Sequence, residues 1–327
     1  MILSLRSPLV SENDWALERL LRASSIHNER FNLEKWHSSV EALLDWPIRL
    51  LDYALGDGVK YGGAAWELEE VGGMIRRANE SLLVLRNAGL NEPMNGKLLG
   101  GNAKLKSFVE RWLGGGVEPA VLMDHLGEAT LLVLDITHNM AISTFFDLPA
   151  KTTNLPRSLA PLLKSKDRAI LTATLRLILA LSTSATASQP LIRPSDPIVP
   201  LAVDLSLQLI LLTSQEDYQL RALALEVLYE CSTEAKEAAV ILRRRDVAGV
   251  FRILAQGLYE GAEERLMAFE MNGQEPVKGL TNGAGAGSAV SKGELEMMAR
   301  QLEPARSIYW YVFQLLDSSS SLVRSAH

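Results

Sequence analysis

The string LLVLRN at residues 82–87 returns as LLVLDI at residues 131–136, 49 positions further along the chain. Both strings are apolar around most of a helical circumference, and neither alternates apolar with polar residues as a half-buried strand does. Related segments follow in ATLRLILALST (173–183), VDLSLQLILLTS (203–214) and RALALEVLYECST (221–233). Each reads as a helix buried on nearly every side, and the segments between them are more amphipathic. A chain built this way can hide its apolar helices only by stacking them between neighbours, which predicts an all-α fold. Leu and Ala, both strong helix formers, are abundant, while aromatics make up only 6% of the residues.

Helical periodicity extends over most of the remaining sequence. Asn13 or Asp14 is placed to cap a first helix, with Trp15, Leu17, Leu20 and Leu21 on one face. A second helix is expected over 34–55, kinked or split at Pro47. GDGVKYGG (56–63) and GLNEPMNGKL (89–98) read as loops, and a long pattern over 64–88 is loosened at Gly72 and Gly73. Further helices are expected near 103–113, 117–126, 128–146, 166–183, 198–213, 216–231, 233–243 and 247–269. Buried helices flanked by amphipathic ones, at spacings of roughly 40–47 residues, are the pattern of armadillo and HEAT repeats. The expected architecture is therefore an armadillo/HEAT-like α-solenoid over 1–270, with a non-repetitive helical bundle as the alternative. Residues 271–292, rich in Gly, Asn and Ser, read as a flexible loop. A terminal helix over 293–317 is expected to pack on the repeat domain, leaving a disordered tail at 318–327.

Several chemistries find no footing in the sequence. With Cys231 as the only cysteine there is no internal disulfide and no zinc finger, and a buried inert thiol fits its apolar run. The five histidines, His27, His37, His125, His138 and His327, include no i, i+4 pair for a metal. Gly89 and Gly96-Lys97 lack the spacing of a phosphate-binding loop, and Leu98 stands where a magnesium-binding hydroxyl is needed. No nucleophile elbow is present. We expect no catalytic residues, no metal and no cofactor. The apolar runs at 169–181 and 198–212, broken by Arg176 and Asp204, fall short of the roughly 18–20 clean residues of a membrane span. A net charge of −6 argues against a surface that grips nucleic acid throughout. Arg243–Arg244–Arg245 and Arg76–Arg77 read first as a helix-end complement and a solvated face.

One block carries more than periodicity. SPLVSENDWALERLLRASSIHNERFNLEKWHSSVEALLD (7–45) resembles the opening of the armadillo-like domain in ARID-type, non-catalytic subunits of SWI/SNF and RSC chromatin remodellers, a fungal RSC subunit above all. Ser7, Leu9, Glu12, Trp15, Ala16 and Leu17 fill the family's lead, and Phe31, Asn32 and Leu33 its second element. The resemblance is specific over the first 55 residues, weaker over 75–150 and architectural beyond. No ARID, winged-helix or zinc-finger segment is recognisable, which disfavours direct nucleic-acid binding. The resemblance implies a nuclear scaffold that clamps a helix of the ATPase subunit and contacts SWIRM-type and SWIB-type subunits. Stacked repeats suit that role, since they build an extended surface for helical segments. Arg86, Asn87, His138 and Asn139, polar residues beside the most buried helices, are the expected groove contacts, unless they only satisfy helix ends. Trp15 and Phe31 complete the expected partner-binding set. Without the family, the same fold reads as a cytoplasmic HEAT or armadillo adaptor for a helical or extended peptide.

Overall fold

The structure, a computed structural model, describes residues 2–25, 31–35, 38–58, 66–114, 117, 119–142, 159–183, 192, 196–210 and 218–231. Among the described residues every regular element is helical, as the sequence leads one to expect. The helices are α1 (Ile2–Leu5), α2 (Val10–Ser25), α3 (Ser39–Leu43), α4 (Asp45–Leu55), α5 (Glu69–Asn91), α6 (Pro93–Gly101), α7 (Ala103–Leu113), α8 (Pro119–Asp124), α9 (Gly127–Ile142), α10 (Arg168–Thr183), α11 (Ile198–Ile210) and α12 (Tyr218–Cys231). Single 3-10 turns lie at Leu33–Lys35 and Leu162–Lys164. None of these helices is long and apolar enough to cross a membrane. The chain divides into two units, Met1–Ala202 and Val203–His327. The helices expected over 233–243, 247–269 and 293–317, the loop at 271–292, the tail and the Arg243–Arg245 run lie outside the described residues.

In the first unit, two pairs of helices run side by side in the same direction. Asp45 and Asp52 of α4 bond Lys104 and Arg111 of α7, each pair 59 residues apart. Asn79 and Arg86 of α5 bond Glu128 and Asp135 of α9, each pair 49 residues apart. A constant separation across two helical turns requires parallel helices in register. The offset between the two LLVL strings is thus the offset between two touching helices. On the other side of α5, α2 also runs parallel, through Asp14–Arg77 and through Asn91 Nδ2 donating to the Ser24 carbonyl. Beyond α9 packs α10. Helix α9 therefore lies between α5 and α10, and ten of its sixteen residues are buried, including the polar Thr130 and Thr137. Thr130 settles its hydroxyl on the Leu122 carbonyl and Thr137 on the Val133 carbonyl. Trp112, fully buried on α7, donates its indole N–H to Thr130.

Local chemistry explains where the boundaries depart from expectation. Helix α2 begins at Val10, ahead of Asn13, which is not a cap but a buried interior residue. Its Nδ2 donates to the carbonyls of Ser7 and Leu9, and its Oδ1 accepts from the Trp46 indole. The 34–55 helix divides at Leu44, so Pro47 falls in the first turn of α4, where its missing N–H costs nothing. Helix α5 runs unbroken through Gly72 and Gly73. GLNEPMNGKL is not a loop: α5 continues to Asn91, and Pro93 opens α6 at a position that suits its fixed φ. Helix α7 matches 103–113, because Asn102 caps it by accepting from the Leu105 N–H at 3.0 Å.

Arg76 is exposed, as expected of a solvated face, and pairs with Asp14 and Glu80, whereas Arg77 is not. Arg77 is only 12% exposed, grips Asp14 with two hydrogen bonds and lies 5.1 Å from the centre of the Trp46 ring. Arg49 sits 4.9 Å from the centre of the same ring. Asn95 is 1% exposed and holds three groups at once. Its Oδ1 accepts from the Leu33 N–H, while its Nδ2 donates to the carbonyls of Phe31 and Ala88. This one side chain fastens the segment 31–33 to the junction of α5 and α6.

Candidate partner-binding surface

Helix α9 buries most of its circumference and leaves one stripe open, while α5 buries a narrower face and is part-exposed elsewhere. On α9 the open stripe is Glu128, Leu131, Asp135, His138 and Ile142, spaced three and four residues apart along one face. On α5 it includes Asn79, Leu83, Arg86 and Leu90. Because the helices are parallel and in register, the stripes lie side by side. Asn79 Nδ2 donates to Glu128 Oε2 at 2.7 Å, and two turns on Arg86 Nε donates to Asp135 Oδ2 at 3.2 Å. Leu90 is 54% and Ile142 63% exposed near the C-terminal ends of the two helices. The result is a face with a polar seam along its middle and exposed apolar residues at its C-terminal end.

The structure places three of the six expected residues, Arg86, Asn87 and His138, part-exposed here, whereas Asn139, expected as a groove contact, is buried. Arg86 reaches Asp135 and also donates to Asn87 Oδ1 at 3.3 Å. Asn139 is buried one helical step from His138, against Gly89 of α5. A Cβ added at Gly89 would lie 3.6 Å from Asn139 Nδ2, an ordinary contact, and 3.3 Å from Leu99 Cδ1, so Gly89 faces both α9 and α6 at close range. Asn139 Nδ2 has no hydrogen-bond partner among the described residues. His138 is half-buried. Burial pushes its imidazole below the ordinary histidine range and the charge of Arg176 on α10 adds to that, while the Asn139 side chain and Asp135 oppose it. At neutral pH the ring is uncharged.

Trp15 and Phe31 lie elsewhere. Trp15 is 50% exposed on α2, with the Arg19 guanidinium 5.9 Å from the ring centre. Phe31 is 8% exposed, a core residue whose carbonyl is held by Asn95. Sequence reasoning missed Asp135, Asn79 and Glu128. The repeat offset was the signal that could have found them, since adding 49 to Arg86 lands on an acid and adding 49 to Asn79 lands on another. Among the described residues no cluster of three metal-ligating side chains exists.

No family model matches the chain. Over 308 residues, 94% of its length, it is 25% identical to the chromatin structure-remodeling complex subunit rsc9 of Schizosaccharomyces pombe. The chain spans 36% of that protein. Its relationship to that RSC-type subunit is distant in identity but covers nearly the whole chain, reaching well past the 7–45 block.

Proposed function

We propose that this chain is a non-catalytic subunit of an RSC-type chromatin-remodelling complex in the nucleus, working as a scaffold. The observation that carries the proposal is the similarity, over 94% of this chain, to part of a remodelling-complex subunit. The paired open stripes of α5 and α9 support a binding role. In this reading the parallel pairs α4/α7 and α5/α9 are successive turns of an armadillo-like solenoid extending over 1–270, with 293–317 packed on it. The face around Arg86, Asn87, His138 and Asn139 receives a helix of the ATPase subunit. Leu90 and Ile142 supply apolar anchors and the Arg86–Asp135 seam sets the register of the incoming helix. Other surfaces, with Trp15 among them, contact SWIRM-type and SWIB-type subunits. Recognition of this kind needs no metal or cofactor.

The test is affinity purification of the tagged full chain from nuclear extract at moderate salt, followed by mass spectrometry. The expected result is a remodeller ATPase together with SWIRM and SWIB subunits. The double variant Arg86→Ala/Asn87→Ala, with an unchanged circular-dichroism spectrum, is expected to lose at least half of the ATPase while remaining nuclear. Recovery of the folded chain without any remodeller subunit overturns the proposal and leaves the reading as a helical-repeat adaptor.

A further inference from the structure

A second site, built from other elements, lies where the 3-10 turn Leu33–Lys35 and α3 meet α6 and α7. A cavity of about 320 Å³ opens there, and both Glu34 and Glu41 line it. Among the described residues neither carboxylate has a cation for a partner. Glu41 accepts one hydrogen bond from Asn102 Nδ2 at 2.8 Å, and Glu34 has no side-chain partner among the described residues. Lys104 bonds the Glu41 carbonyl at 3.0 Å, but its charge is matched by Asp45 at 2.8 Å. Ser39, 4% exposed, also lines the cavity, and its hydroxyl has no hydrogen-bond partner among the described residues. A buried hydroxyl left unpaired costs free energy, and a serine hydroxyl turns readily to meet a donor or an acceptor. Beside it Ser38 holds a left-handed backbone, φ 61°, the one non-glycine residue among those described to do so.

We infer that this cavity receives an arginine side chain from a partner protein. Size excludes a whole helix: 320 Å³ stands at the lower end of ligand sites, enough for one long side chain. Charge selects a cation, because two uncompensated carboxylates repel an anion and gain little from a neutral group. With only two carboxylates and no third metal-ligating residue beside them, a metal ion lacks its coordination set. Between the two organic cations, guanidinium presents five N–H donors in a plane and ammonium three on a point. The acceptors here are dispersed over Glu34, Glu41 and two serine hydroxyls, which suits the plane. Leu33 and Leu98 give the aliphatic stem an apolar wall. The walls are fixed beforehand, by Asn95 holding Leu33 and by Asn102 holding Glu41. The inference does not depend on the α5/α9 face or on the remodeller reading.

The experiment titrates the full chain with N-acetyl-arginine methylamide, following the amide resonances of residues 38–41 and 101–102 by NMR. Its neutral counterpart, N-acetyl-citrulline methylamide, is titrated in parallel. Arginine is expected to give saturable shifts confined to those amides, and citrulline none at the same concentration. Glu34→Gln and Glu41→Gln are each expected to weaken binding roughly tenfold, the effect of removing one charge-assisted hydrogen bond. Glu69→Gln/Glu70→Gln, on α5, should leave it unchanged. If Glu41→Gln disturbs folding through Asn102, the exposed Glu34→Gln carries the comparison alone. Equal shifts with citrulline, undiminished affinity in Glu34→Gln, or no saturable shift in the parent chain overturns the proposal. So does putrescine or calcium binding these amides tenfold more tightly than arginine.

Discussion

At the scale of single residues, the chain puts its most consequential polar groups where solvent does not reach. Asn95 satisfies two carbonyls and one N–H that would otherwise be buried and unpaired. Asn95→Ala should therefore cost about 3 kcal/mol or more, since each orphaned buried group carries roughly 1–3 kcal/mol. Chemical denaturation checks this, and a loss below about 1 kcal/mol would show that water replaces the side chain. His138 gives a pH effect of definite sign. Its folded-state pKa lies below the unfolded value of about 6.5, so the unfolded chain takes up the proton first as pH falls. The stability contributed by the neutral ring is present above pH 6.5 and is lost as the pH drops through and below that value. Melting temperature should fall between pH 7 and pH 5.5 in the parent chain and fall less in His138→Gln. Equal slopes in both would remove His138 from the account. Asp14 acts in a lower window. Burial alone would raise its pKa, but the hydrogen bonds and charges of Arg77 and then Arg76 lower it, so its contribution is lost only as pH falls below about 4.

At the scale of helices, the seam between α5 and α9 is the contact that fixes how the two lie together. Arg86 and Asp135 are about one-third and one-quarter exposed, so their pairing is worth only about 0.5–1 kcal/mol after solvent screening. What the pair supplies is register. Arg86→Asp should destabilise by about 1 kcal/mol by setting two acids face to face. Adding Asp135→Arg should recover most of that loss, because the swapped pair meets at the same 49-residue offset. A double-mutant cycle measured by denaturation decides it, and no recovery would mean that the two helices are not held as described. This offset also shows what the sequence made legible. Leu-rich periodicity announced α9–α12 because each is apolar on several sides, the single apolar face of α7 announced that helix, and the repeated LLVL string marked the two helices that touch. Helix α6 was missed because its glycines and proline look like loop residues; Pro93 starts the helix, and Asn95 and Gly96 lie within it. The burial of Arg77 was illegible for a related reason: its guanidinium finds Asp14 and Trp46, 63 and 31 positions away, and no local pattern announces either. Of the four polar residues chosen beside the buried strings, Arg86, Asn87 and His138 are part-exposed on α5 and α9, and Asn139 is buried. Phe31, chosen from a motif alone, lies in the core, because an aromatic gives no sign in sequence of which way it faces.

At the scale of the molecule, the open face exists only while its neighbours stand. Helix α9 has no core of its own; it is buried by α5 on one side and α10 on the other. If the proposed repeat architecture holds, stability passes between nearest neighbours, and a defect in a middle element weakens those on both sides. Leu134, fully buried on α9, offers the test. Leu134→Ala should cost about 2–5 kcal/mol through lost burial and the cavity left behind. At 2 kcal/mol, amide exchange that proceeds by opening should quicken about thirtyfold. The acceleration is expected to be equal in α5, α9 and α10, and smaller in α2, which is separated from α9 by α5. Acceleration confined to α9 would mean that each helix opens alone, so that a partner could lose one ridge of the face and keep the other. Equal acceleration across the three helices would mean that the face is present or absent as a unit. A partner helix seated on it would then be holding together the helices that hold it, and its binding would slow exchange in α10, which it does not touch, as well as in α5 and α9.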